Sequence, residues 1–152
     1  MSLIDRLTVD MKEAMKAREA GKLRLTVIRM VRAAIKNQEI EKGQELTDEE
    51  IILVLSREAK LRRDSMPEYE KAGRTDVLKT LKEEINILME YLPRQLTEEE
   101  IITLVKKIVT DVGAQSPQDM GKVMSKVMPE TKGKADGKAV NDIVKKVING
   151  EL

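Results

Sequence analysis

The sequence predicts an all-α protein of about seven helices in two pieces, and three observations predict it. Aromatic residues make up only 1% of the chain, two tyrosines with no Phe and no Trp. β-Sandwiches and barrels draw on aromatic and β-branched residues, whereas helices pack well on Leu, Ile, Met and Ala. Hydrophobic residues, 41% of the chain against 36% charged, recur at spacings of three and four, the period of a helix face. Capping residues stand where several of these runs begin, and Gly or Pro where they end.

At the N-terminus, Ser2 with Asp5 reads as an N-cap with an acidic N3 residue, and Leu3, Leu7, Met11, Ala14 and Met15 keep helical spacing up to Glu19-Ala20-Gly21. A second helix runs from about Lys22 to Ile40 and stops at Gly43, with Leu23, Val27, Met30, Val31 and Ala34 as its apolar arc. Thr47-Asp48-Glu49-Glu50 is a capping box that starts a third, carrying Ile51, Ile52, Leu55 and Ala59 on one side. Pro67 interrupts that pattern, so the helix kinks there or ends near Asp64-Ser65 and restarts; a kink is the preferred reading. After Gly73, the stripe Val77, Leu81, Ile85, Leu88 and Leu92 predicts a buried helix face. Leu92-Pro93 closes an N-terminal piece, residues 1–92.

The C-terminal piece spans residues 97–152. Thr97-Glu98-Glu99-Glu100 is a second capping box, and Ile101, Leu104, Val105 and Ile108 continue from it on one face. Ser116-Pro117 opens a helix that Pro129 closes, and Asp136 is placed to cap a last one through Val140, Ile143, Val144 and Val147.

Composition excludes several chemistries. With no Cys and no His, the chain offers no disulfide, no thiolate and neither of the commonest general base or transition-metal ligand. Its net charge of +1, from 28 basic and 27 acidic residues, leaves any nucleic-acid affinity to the distribution of charge. No apolar run approaches the roughly 20 residues of a membrane span, and the N-terminus lacks a signal-peptide core. A cytoplasmic protein with no membrane partner is the expectation. Acids in the first turns of helices are explained by capping and not by metal binding. No nucleophile has a His or Cys beside it, so no catalytic residue is assigned, and no cofactor or metal is expected. Gly133 to Lys138 is not a nucleotide loop, because the spacing, the residue after the lysine and the missing strand all fail.

Three features admit a binding or a structural reading. Lys22, Arg29, Arg32 and Lys36 fall within an arc of about 80° on the second helix. They would track phosphates, or pair with acids around Glu83, Glu84 and Glu90, and paired or solvated faces are the commoner case. Arg62, in an apolar arc, is read as a buried and paired residue before a binding group. Lys132, Gly133, Lys134, Gly137 and Lys138 surround a helix N-terminus where an anion is favoured. The equal alternative is a capped turn with solvated lysines, Asp136 being the cap. Met120, Met124 and Met128, four apart, are read as core before partner surface.

Met120-Gly121-Lys122-Val123-Met124, Met128-Pro129, Gly133-Lys134-Ala135-Asp136-Gly137-Lys138, Val140-Asn141 and Ile143-Val144 together resemble the GatB/YqeY family. Val27-Ile28-Arg29-Met30, Ala34-Ile35-Lys36-Asn37, Lys71-Ala72-Gly73-Arg74 and Glu90-Tyr91-Leu92-Pro93 extend the resemblance over nearly the whole chain. It implies an all-helical fold in two pieces and a link to tRNA, since the C-terminal part is similar to the tail of the B subunit of tRNA-dependent amidotransferases, which engages the tRNA body. That tail usually carries proline where this chain has Gly137. The amidase and the phosphorylating domain of that enzyme have no counterpart here, so catalysis by this chain alone is not expected. On this resemblance tRNA or another structured RNA is the expected partner. Contacts are expected from Lys122, Lys126, Lys132, Lys134 and Lys138, helped by Arg29 and Arg32. The alternatives are an accessory to glutamine-dependent amidation of aminoacyl-tRNA, a carbon–nitrogen ligation, and a protein-interaction module.

Overall fold

The computed structural model describes residues 1–152 and contains seven α-helices and no strand. The Ser2 hydroxyl accepts the Asp5 amide and opens α1 (Leu3–Lys16). A 3-10 turn, Arg18–Gly21, hands the chain directly into α2 (Lys22–Lys42). This corner is tight. A Cβ on Gly21 would stand 2.2 Å from the Ala14 carbonyl oxygen, and Arg18 takes the left-handed φ of 53° that non-glycine residues seldom adopt. At the other end of α2, Gly43 at φ 79° returns its N–H to the Glu39 carbonyl.

Thr47 and Glu50 form the expected capping box at the start of α3 (Asp48–Lys71). Pro67 neither breaks nor ends this helix, which continues through it for another turn. The proline forgoes one hydrogen bond to the preceding turn, and the rest of the helix is kept. After Gly73 comes α4 (Thr75–Met89). Its clear apolar stripe is less buried than its spacing predicts, since Val77, Leu81, Ile85 and Leu92 are half-covered and only Leu88 is fully enclosed. The first compact unit, Met1–Leu92, closes on Leu7, Val27, Ile28, Val31, Ile35, Ile51, Val54, Leu55, Ala59, Leu88 and Tyr91. Met30, expected in that arc, is instead 47% exposed, because the packed face of α2 turns toward Ile28 and Ile35.

Arg62 is buried, and its guanidinium is held by two carboxylates and a carbonyl. Its Nε lies 3.1 Å from the Glu84 carboxylate, and its Nη1 donates to the Glu58 carboxylate at 3.1 Å and the Glu58 carbonyl at 3.0 Å. The side chains of Glu84 and Glu58 are themselves only 14% and 16% exposed. The structural reading of Arg62 holds.

The second unit, Pro93–Leu152, comprises α5 (Glu98–Val112), a 3-10 turn Pro117–Asp119, α6 (Met120–Thr131) and α7 (Gly137–Ile148). The Thr97 hydroxyl accepts the Glu100 amide at 3.1 Å. α6 runs two residues past Pro129, to Thr131, where the sequence predicts an earlier stop. Valine and isoleucine make the core: Ile101, Val105, Ile108, Val123, Val127, Val140, Ile143 and Val144. Met120 and Met124 flank it and Met128 is exposed. The methionine stripe therefore borders the core, because Val123 and Val127 take the inward positions of α6.

The caps make an acid-sensitivity prediction. The Lys42 ammonium, then the Thr47 amide, hold Glu50 down to about 2 from the ordinary 4.5, and Arg94 does the same to Glu100, also to about 2. A depressed carboxylate contributes stability that is full above its unfolded value and lost as pH falls toward its folded one. Stability should therefore fall between pH about 4.5 and about 2. Urea melts across that range should show a shallower decline for Glu50→Gln and Glu100→Gln than for the parent. Equal slopes would mean that these pairs are too solvated to matter.

Candidate functional site

The α6–α7 connection is built to hold its backbone still while its lysines face solvent. Thr131, buried at the end of α6, donates its hydroxyl to the Val127 carbonyl at 3.1 Å. Its own carbonyl accepts the amides of Lys134 at 2.9 Å and Ala135 at 3.1 Å, which curls the loop. Gly133 takes φ 75°, a conformation glycine adopts without strain. The Gly133 carbonyl accepts the Gln95 side-chain amide at 3.0 Å, and the Lys134 carbonyl accepts the Leu96 amide at 2.8 Å. The segment before α5 thus pins the loop from outside.

On this frame Lys132, Lys134 and Lys138 are all exposed. They gather where α6 ends and α7 begins. Lys122 and Lys126 are also exposed, four residues apart on one face of α6. Gly137 is the first residue of α7, and Asp136 holds the cap position by its backbone without a side-chain capping bond. At the other end of α6, the amides of Gln115 and Ser116 hold the Asp119 carboxyl below its usual range, with Lys122 contributing.

The remaining candidates lie on α2, in the other unit. Arg29 and Lys36 are exposed, as is Lys22. Arg32 is half-buried and donates to the Thr8 hydroxyl at 3.0 Å, so it is committed to α1. The alternative pairing with Glu83, Glu84 or Glu90 is not formed. Glu84 binds Arg62 and Glu90 binds Arg24.

A cleft of about 640 Å³ in the first unit, with a network of charged side chains in its wall, has little signature in the sequence. The Arg6 guanidinium lies 4.6 Å over the Tyr91 ring and donates to the Glu90 carbonyl at 2.8 Å. The Tyr91 hydroxyl donates to Asp10, and Arg24 pairs with the Glu90 carboxylate at 2.5 Å. Burial first, then Asp10, pushes the Tyr91 hydroxyl well above its ordinary range. These groups satisfy one another and fasten the end of α4 to α1 and α2. The only sequence signal is the Glu90-Tyr91 pair; that Arg6 and Arg24 meet it depends on the packing. No three carboxylates converge as metal ligands would, and no helix is long and apolar enough to cross a membrane.

Known proteins share this sequence pattern. A family model described as "Yqey-like protein" matches residues 4–148. The chain is 35% identical over 132 residues to "Altered inheritance of mitochondria protein 41, mitochondrial" of Kluyveromyces lactis, covering 81% of this chain and 70% of that protein. The protein of the same name from Lachancea thermotolerans is 32% identical over 114 residues, 73% of this chain and 60% of its own length. That from Pyrenophora tritici-repentis is 27% identical over 152 residues, 98% and 82%. These names overturn the cytoplasmic expectation, since each relative is named mitochondrial. The expectation rested on a missing apolar leader, and mitochondrial targeting segments are amphipathic and basic instead.

Proposed function

Because this chain belongs to the YqeY-like family, we propose that it binds structured RNA, tRNA foremost, through the α6–α7 face. One observation carries the reading. Lys132, Lys134 and Lys138 stand exposed on a loop whose backbone is pinned by Gln95 and Leu96. Ordering flexible groups at the moment of binding costs affinity, and a backbone already fixed avoids part of that cost. Lys122 and Lys126 extend the positive surface along α6, and the positive end of the α7 dipole favours a phosphate beside Lys138. Tyr91 is buried and Tyr69 is the one exposed aromatic ring, at 37%. The chain therefore suits reading of duplex shape and backbone, not stacking of splayed bases. The relatives' names favour a mitochondrial setting for this activity.

Filter binding of total tRNA, with and without Lys132→Ala, Lys134→Ala and Lys138→Ala together, tests this reading. The parent should bind with an affinity that falls steeply from about 50 to 200 mM salt, and the variant should lose about two to three from the slope of log K against log salt. No binding by the parent at low salt would remove the RNA reading. An unchanged slope in the variant would move the site elsewhere.

A further inference from the structure

The outward face of α2 carries a second line of cations. Lys22, Arg29 and Lys36 succeed each other at intervals of seven residues. At 100° per residue such a step returns to within about 20° of the same direction, and at 1.5 Å per residue it advances about 10.5 Å. All three side chains are exposed, and none forms an ion pair within the chain. No Asp or Glu occurs between Glu19 and Glu39. The residues between the cations on this face, Thr26 and Ala33, are exposed and small, so nothing projects above the line.

This placement does not serve the helix. The first turn of α2 contains no acid and begins with Lys22, a cation at the positive end of the helix dipole. The other two arginines of the helix answer structural demands, Arg24 by pairing with Glu90 and Arg32 by bonding Thr8. Only the three in line are left without a partner in the fold.

Their spacing selects the ligand. Three cations spread over about 21 Å cannot converge on one phosphate or carboxylate. They match an extended polyanion, such as a duplex backbone that presents phosphates at short regular intervals along its axis. A membrane surface suits them less, because membrane-lying helices bury a broad apolar face and this one exposes only two separate large apolar residues, Met30 and Ile40.

We propose that Lys22, Arg29 and Lys36 form a second backbone-contacting face for duplex RNA, which deepens the RNA-binding reading above and rests on it. Contact is sequence-independent, because lysine and arginine here reach phosphates and no base edge.

The test measures affinity of the full chain for a synthetic RNA duplex over about 50 to 200 mM salt. Four proteins are compared: the parent, Lys22→Ala with Arg29→Ala and Lys36→Ala, the α6–α7 triple variant, and both sets combined. The α2 variant should keep its helical content and unfolding midpoint while the slope of log K against log salt falls by about two to three. The loss should be the same on duplexes of unrelated sequence. Parent-like slope and affinity in the α2 variant would overturn the inference and leave the α6–α7 reading standing. Loss confined to the α2 variant, with the α6–α7 variant parent-like, would sustain the α2 face and remove the other. A parent that ignores the duplex, or that binds anionic vesicles in its place, would overturn both.

Discussion

Arg62→Ala is expected to lower the stability of the first unit by about 3–5 kcal/mol, the range for breaking a buried ion pair from one side. The guanidinium makes four hydrogen bonds, to the Glu84 carboxylate, the Glu58 carboxylate and carbonyl, and the Met30 sulfur. Removing it leaves two mostly buried carboxylates facing each other with no cation between them. Desolvation and mutual repulsion then act in the same direction. Urea unfolding should show the drop, and amide exchange should quicken in α3 and α4, which Arg62 and Glu84 link. Arg62→Met with Glu58→Met and Glu84→Met should recover most of the loss, since an apolar replacement of similar volume for a whole buried ion cluster is often neutral. If Arg62→Ala costs under about 1 kcal/mol, the cluster behaves as a surface salt bridge and this account of it fails.

Gly21→Ala is expected to destabilise the same unit by about 1–3 kcal/mol, the cost of forcing a group into a packed site. Gly21 has φ −100° and ψ 1°, which alanine also adopts. Conformation alone would therefore favour the substitution slightly, through a less disordered unfolded chain. Space decides against it. The added methyl would lie 2.2 Å from the Ala14 carbonyl oxygen and 2.8 Å from two other backbone atoms of Ala14. A side chain could rotate away, but a helical backbone cannot. The α1–α2 corner would have to open, carrying Arg18, Arg24 and the cleft around Tyr91 with it. Gly43→Ala is the matched control: open space surrounds it, but its φ is +79°, so the cost there is conformational, about 1 kcal/mol. A Gly21→Ala protein as stable as the parent would show that the corner is not tightly fixed.

Secondary structure was well legible in the sequence because helices are local. Caps at Ser2, Thr47 and Thr97 act within one turn, and so does the left-handed glycine at position 43. Depth of burial was less legible. Val77, Leu81 and Ile85 keep perfect spacing yet are half-exposed, because periodicity reports which side faces a neighbour and not how much material lies there. Pro67 and Pro129 break less than their residue type suggests. Each removes one hydrogen bond to the preceding turn, and the helix still runs on past it, to Lys71 and to Thr131. Of the candidate site, residue types and positions were legible; the clamp by Gln95 and Leu96 was not, nor was the capture of Arg32 by Thr8, because both join segments more than twenty residues apart.

By itself the sequence determined an all-α chain without thiol or imidazole chemistry, resembling the family to which it belongs. Only the tertiary structure decided which cations are spent on the fold and which stay exposed. Arg24, Arg32 and Arg62 are consumed by Glu90, Thr8, Glu58 and Glu84, while Lys22, Arg29, Lys36 and the α6–α7 lysines face solvent. The reason is physical. Charge is fixed by residue type, but whether a charge is neutralised depends on what lies within a few ångströms, and packing alone sets that distance.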